Sequence, residues 1–137
     1  MNDTKYKKRI IIRRSNIKNA GLGVFANTFL KKGITLGHYK GRIYDAENLN
    51  EEELELLNKS AYVMAVYKDD EIISYIDSSD ANKSLSNWTR YINGSKSKKQ
   101  KPNVRFIQKV SRIHIETLRD IKKGEELIVD YGSDYIW

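Results

Sequence analysis

Seven short stretches rich in isoleucine, valine and tyrosine recur along the chain, at residues 9–13, 33–39, 62–67, 71–76, 104–110, 113–118 and 126–131. β-Branched and aromatic side chains in runs of this length suit a pleated, half-buried surface, so strands dominate and helices are confined to the gaps. The predicted fold class is mainly β with short helices, a β-rich α+β arrangement. A chain of 137 residues has enough material for one core, so residues 1–137 read as a single domain, with residues 1–8 as a flexible N-terminal segment. In Ile113-His114-Ile115-Glu116 the apolar positions alternate with polar ones, which points His114 to solvent.

The clearest helix starts after Asn50, where the asparagine caps, Glu53 reaches back as in a capping box, and Glu51 to Glu53 complement the positive helix end. Leu54 and Leu57 then share a face. Two similar punctuators, Leu30-Lys31-Lys32-Gly33 and Ile121-Lys122-Lys123-Gly124, place glycine where a tight turn wants positive φ, and both read as hairpin turns. Residues 93–103, with their glycine, serines and lysines, form the longest loop candidate.

Charge narrows the partners. The chain carries +7 formally at pH 7, which favours an acidic partner. Yet its distribution is two-sided: Asp45, Glu47, Glu51, Glu52, Glu53 and Glu55 form a block without a base, while Lys83, Arg90, Lys96, Lys98, Lys99, Lys101, Arg105, Lys109 and Arg112 lie in a stretch without an acid. The acidic block suits a basic peptide. The lysine-rich segment 96–109 suits nucleic acid, but stacking aromatics are not interleaved among Lys96 to Lys101, so that partner ranks last. No apolar run is long enough to cross a bilayer and the basic opening stretch is unlike a secretion signal, so a soluble, intracellular protein without a membrane partner is expected.

With no cysteine and two histidines, His38 and His114, thiolate chemistry and metal sites built on cysteine or several histidines are excluded, and no metal is expected. Phosphate-loop, nucleophile-elbow and His-Glu-x-x-His patterns are missing as well. Gly21-Leu22-Gly23 by itself is a tight turn between strands. Its context is more informative. Gly21-Leu22-Gly23-Val24-Phe25-Ala26, then Gly37-His38-Tyr39-Lys40-Gly41, then Ile76-Asp77 leading to Asn87-Trp88-Thr89-Arg90-Tyr91-Ile92-Asn93, then Pro102-Asn103, and finally the run from Leu118 through Asp120-Ile121-Lys122-Lys123-Gly124-Glu125-Glu126-Leu127 to Asp130-Tyr131-Gly132 follow one another in order. In that order they resemble the SET domain family of protein lysine methyltransferases, and Trp88 makes the likeness strongest to its PR subfamily.

The resemblance implies small curved sheets with a C-terminal pseudoknot, S-adenosylmethionine on one face, and a lysine side chain entering from the other. It implies Tyr131 as the catalytic residue, with Leu22, Gly23, Arg90, Tyr91, Asn93, Gly94 and Trp137 at the cofactor and Tyr39, Tyr62, Ile76, Asp77 and Phe106 along the substrate channel. The chemistry is demanding. Methyl transfer from a sulfonium needs a neutral amine, and deprotonating lysine at pH 7 costs about 4.6 kcal/mol from its pKa of about 10.4. A dry aromatic channel and a nearby positive sulfur both lower that pKa. The implied substrate is a basic protein, such as a histone tail, in the nucleus of the cell or of a host, with a homodimer as one way for so small a domain to complete its groove. Gly94 stands where most SET enzymes carry histidine, which keeps a catalytically silent interaction module as the alternative function.

Overall fold

The computed structural model describes residues 9–95 and 101–130. Among them the strands are β1 (Ile10–Arg14), β2 (Leu22–Ala26), β3 (Thr35–His38), β4 (Arg42–Asp45), β5 (Val63–Lys68), β6 (Glu71–Asp77), β7 (Asn93–Gly94), β8 (Val104–Lys109), β9 (Arg112–Thr117) and β10 (Ile128–Val129), and the α-helix is α1 (Glu51–Lys59). They form three small sheets: β1-β2, β4-β6-β5, and a central sheet in the order β3-β9-β8-β10-β7. Among the described residues the arrangement is mainly β with one short α-helix, as expected.

Alternation builds the central sheet. Ile113 and Ile115 of β9 are fully buried with Phe106 and Val104 of β8, while His114 and Glu116 project from the other side. His114 is half-buried rather than open, because His38 lies directly opposite it on β3 with the ring centroids 6.4 Å apart. Helix α1 forms as its sequence dictates. Asn50 accepts the Glu53 amide at 2.8 Å, the Glu53 carboxylate takes the Asn50 amide at 3.1 Å, and Leu54 and Leu57 are its half-buried residues.

Two expectations need correction. The Lys-Lys-Gly segments are turns, with φ of +84° at Gly33 and +95° at Gly124, but neither closes a hairpin. Leu30 and Ile121 pair with each other instead, each amide donating to the other's carbonyl at 2.8 Å. Both side chains are buried, so a long-range core contact overrides local pairing. Gly21-Leu22-Gly23, in turn, opens a strand. Val24, Phe25 and Ala26 are buried in succession, and β2 is paired along both edges: by β1 on one, and by residues 124–127 on the other, with Leu127 donating to the Val24 carbonyl at 2.7 Å.

That edge contact leads into the central sheet. After leaving β2, the chain enters the central sheet as β10, parallel to both β7 and β8. Ser95 donates to the Val129 carbonyl at 2.8 Å on one flank, and Asn103 donates to the Ile128 carbonyl at 2.9 Å on the other. Ser95 and Asn103 therefore sit at the same height on opposite flanks of β10. Asn103, which is buried, also holds this segment with its side chain: Nδ2 donates to the Glu126 carbonyl at 2.8 Å and Oδ1 accepts from the Ile128 amide at 2.7 Å.

Candidate active site

The run through residues 124–129 brings the glycine segment and the Asn93-Gly94 strand together, and one carboxylate joins them. Glu126 is 8% exposed. Its Oε2 accepts from Ser15 Oγ at 2.7 Å and Asn93 Nδ2 at 3.1 Å, while Oε1 accepts from the Asn16 amide at 3.0 Å. Asn93 Nδ2 also donates to the Leu22 carbonyl at 3.0 Å. All of these contacts are with uncharged donors, and they supply the buried carboxylate with hydrogen-bond partners. Gly23 lies against this cluster. A Cβ there would overlap Glu126 Oε2 and come within 3.2 Å of Asn93 Nδ2. Gly23→Ala should therefore displace the carboxylate and destabilise the fold by about 1–3 kcal/mol, measured as a lower urea midpoint at unchanged slope.

Leu22, Arg90 and Tyr91, three of the residues expected at the cofactor, line one cavity of about 540 Å³ with Ile10, Asn87 and Trp88. Its volume and mostly apolar walls are those of a small-molecule site. Gly94 pairs with Val129 in the β7–β10 ladder. Arg90 is more than a wall. Its guanidinium donates to the Ser78 carbonyl at 2.8 Å and the Ser79 carbonyl at 3.0 Å, and its carbon lies 4.4 Å from the Tyr62 ring centroid and 4.8 Å from that of Tyr91. A planar cation with a fixed fork can serve two rings and two carbonyls at once. It links the cavity wall to the residues expected along the channel.

Those residues meet behind it. The Tyr39 hydroxyl donates to the Tyr62 carbonyl at 2.8 Å, and the Tyr39 and Phe106 rings are 5.9 Å apart. Tyr39, Phe106 and Ile76 are buried. The Asp77 carboxylate is committed to the Ser79 amide at 2.9 Å, and the Asp77 carbonyl region is what a Cβ at Gly41 would strike. Tyr131 and Trp137, the expected catalytic and terminal cofactor residues, lie outside the described residues, as do Lys96, Lys98 and Lys99. The groups that sequence did not single out are Glu126 and Ser15. A signal for the first exists: Glu126 directly precedes the apolar run Leu127-Ile128-Val129, where a charge needs a structural reason. Among the described residues no group of three or more histidine, aspartate or glutamate side chains is placed to hold a metal, and no helix is long and apolar enough to cross a membrane.

Comparison with known proteins gives concordant results. A family model described as the PR domain of PR domain zinc finger protein 2 matches residues 10–136. Histone-lysine N-methyltransferase set-17 of Caenorhabditis elegans is 35% identical over 124 residues, covering 90% of this chain and 41% of that protein. The chain thus spans less than half the length of that relative. The methyltransferase domain of human PR domain-containing protein 2 superposes with a TM-score of 0.68 at 24% identity, covering 89% of this chain and 76% of that one. A Polycomb repressive complex 2 of Chaetomium thermophilum, in an autoinhibited conformation bound to S-adenosylmethionine, matches at TM-score 0.60 and 23% identity over 91% of this chain and 15% of that one.

Proposed function

The chain belongs to the PR-domain branch of the SET lysine methyltransferase family, and on that premise we propose that it transfers a methyl group from S-adenosylmethionine to a lysine of a basic protein, a histone tail being the leading substrate. The observation that carries the proposal is the hydrogen bond from Asn93 Nδ2 to the Leu22 carbonyl. It joins the two segments expected to hold the cofactor, and Leu22 itself lines the apolar cavity.

The residues fit the cofactor. Gly23 lets Glu126 and Asn93 close on the backbone next to Leu22, and Leu22, Arg90 and Tyr91 supply apolar, polar and aromatic walls of the cavity. Bound S-adenosylmethionine supplies the activated methyl group and a positive sulfur. The chain's own task is to bind, exclude water and align. Tyr39, Tyr62 and Phe106 form an aromatic cluster on the opposite side of Arg90, where desolvation lowers the pKa of an entering lysine. Substrate approach is assisted by charge: Asp45, Glu47, Glu51, Glu52, Glu53 and Glu55, on β4 and around α1, are exposed, as are Asp69 and Asp70 at the β5–β6 turn. A basic tail is attracted to that side. A histone substrate would place the protein in a nucleus.

The alternative, a silent interaction module, is favoured by Gly94, which offers no side chain beside Val129. Calorimetry and a labelled-methyl assay separate the two. Saturable binding of S-adenosylmethionine with incorporation into core histones supports the enzyme. Binding without incorporation into histones or any basic peptide, across pH 7 to 9, supports the module, and absence of both overturns the proposal.

A further inference from the structure

On the outward side of the central sheet, β8 presents Arg105, Ile107 and Lys109 directly opposite Glu116, His114 and Arg112 of β9, and His38 of β3 lies opposite His114. The reverse side of the same strands carries the buried Phe106, Ile113 and Ile115, so this row faces outward and is not turned into the core. Two of its facing pairs, Lys109 with Arg112 and His38 with His114, bring like groups together, a pairing that weakens a sheet. The row's only carboxylate, Glu116, is shared by Arg105 at 3.0 Å and Lys109 at 2.7 Å. Arg112 makes no salt bridge among the described residues. Lys40 adds a further cation next to His38. The acidic residues of the chain are concentrated elsewhere, on β4, α1 and the β5–β6 turn.

We propose that this outward face of β3-β9-β8 docks the phosphate backbone of duplex nucleic acid, independently of the methyl-transfer site. From Arg105 to Lys109 the row extends about 14 Å, four residues at about 3.4 Å each. A duplex offers a charge every ~1.7 Å of its axis, so one such face meets several phosphates at once. Insertion into a membrane is disfavoured. Val110 at the β8–β9 turn is 92% exposed, but one apolar side chain is too little to anchor a protein.

The histidines give the surface a pH dependence. Burial, then Arg112, the facing His114 and Lys40 hold His38 below the usual imidazole value of 6.5. Burial, then Lys109 and Arg112, do the same to His114 against the opposing pull of Glu116. Both are neutral at pH 7.5, and phosphate favours their charged forms, so affinity should rise as the pH falls below 6.5.

The test is fluorescence anisotropy of a short labelled DNA duplex with the whole chain. Affinity should fall with salt at a log–log slope of about −3. Lys109→Gln with Arg112→Gln should weaken binding about tenfold and reduce the slope by about 2, with an unchanged unfolding temperature. Lys59→Gln on α1 should change nothing. His38→Gln with His114→Gln should leave binding at pH 7.5 intact and abolish its rise at low pH. Full binding by the Lys109 and Arg112 variant overturns the proposal. So does loss of binding only when Lys96, Lys98 and Lys99 are replaced, or preference for phosphatidylserine vesicles or polyglutamate over the duplex.

Discussion

Tyr131→Phe should lower methyl transfer at least about 100-fold, the size of effect that a misplaced reacting group produces, while leaving the unfolding temperature unchanged. The substitution removes one oxygen and keeps the ring. Tyr131 lies outside the described residues, but it follows β10 by two positions, and β10 is hydrogen-bonded between Asn93-Gly94 and Val104. The C-terminal run is thus delivered to the strand that carries the expected cofactor residues. Unperturbed tyrosine has a pKa of about 10, so the proposed role of the phenol is to orient the amine rather than to deprotonate it. Two readouts separate orientation from structure. Affinity for S-adenosylmethionine should stay within about twofold, and the residual rate should keep the wild-type pH profile, because the ionisation that matters is the substrate lysine's. A variant as fast as wild type would remove Tyr131 from the reaction.

Much of the fold could be read locally. The helix start followed from Asn50 and Glu53 because a capping box involves residues three apart, and the orientation of β9 followed from the period of its isoleucines. What escaped local inference depends on distant pairing. β2 is covered by β1 on one edge and by residues 124–127 on the other, and nothing within Leu22–Ala26 records a partner 100 residues away. The buried run Val24-Phe25-Ala26 lacks the alternation of a one-sided strand, but it does not say which segments pair along its edges. Leu30 and Ile121 illustrate the same point: the turns after them are legible, and their mutual pairing is not.

The candidate site divides in the same way. The segments around Gly23 and Asn93 were identifiable from their motifs, because close approach and amide hydrogen bonding need particular residue types. Arg90 was expected at the cofactor, yet its bonds to Ser78 and Ser79 and its place between Tyr62 and Tyr91 also make it the connection between two groups of residues that sequence kept separate. Replacing it would perturb both groups, so a kinetic effect at this position would not by itself report on cofactor contact.

Glu126→Ala should cost about 4 kcal/mol of stability, the largest expected loss from a single side chain in the site. Among the described residues the carboxylate accepts three hydrogen bonds, from Ser15 Oγ, the Asn16 amide and Asn93 Nδ2. Hydrogen bonds to a charged group contribute about 1.5–3 kcal/mol each, offset in part when a buried charge is removed. Alanine leaves those donors without their acceptor and frees Asn93 from one of its two partners. Glu126→Gln tests the sign of the interaction at nearly constant volume. Its amide nitrogen must face either the Asn16 amide or Asn93 Nδ2, and either arrangement sets donor against donor, so about half of the alanine loss is expected. Chemical denaturation measures both variants. Because Asn93 also holds the Leu22 carbonyl, affinity for S-adenosylmethionine should fall in the order wild type, glutamine, alanine. If glutamine proves as stable as glutamate, the donors can reorganise around a neutral group, and Glu126 does not clamp Asn93 to the glycine segment. If stability falls while cofactor affinity holds, the clamp belongs to the fold alone.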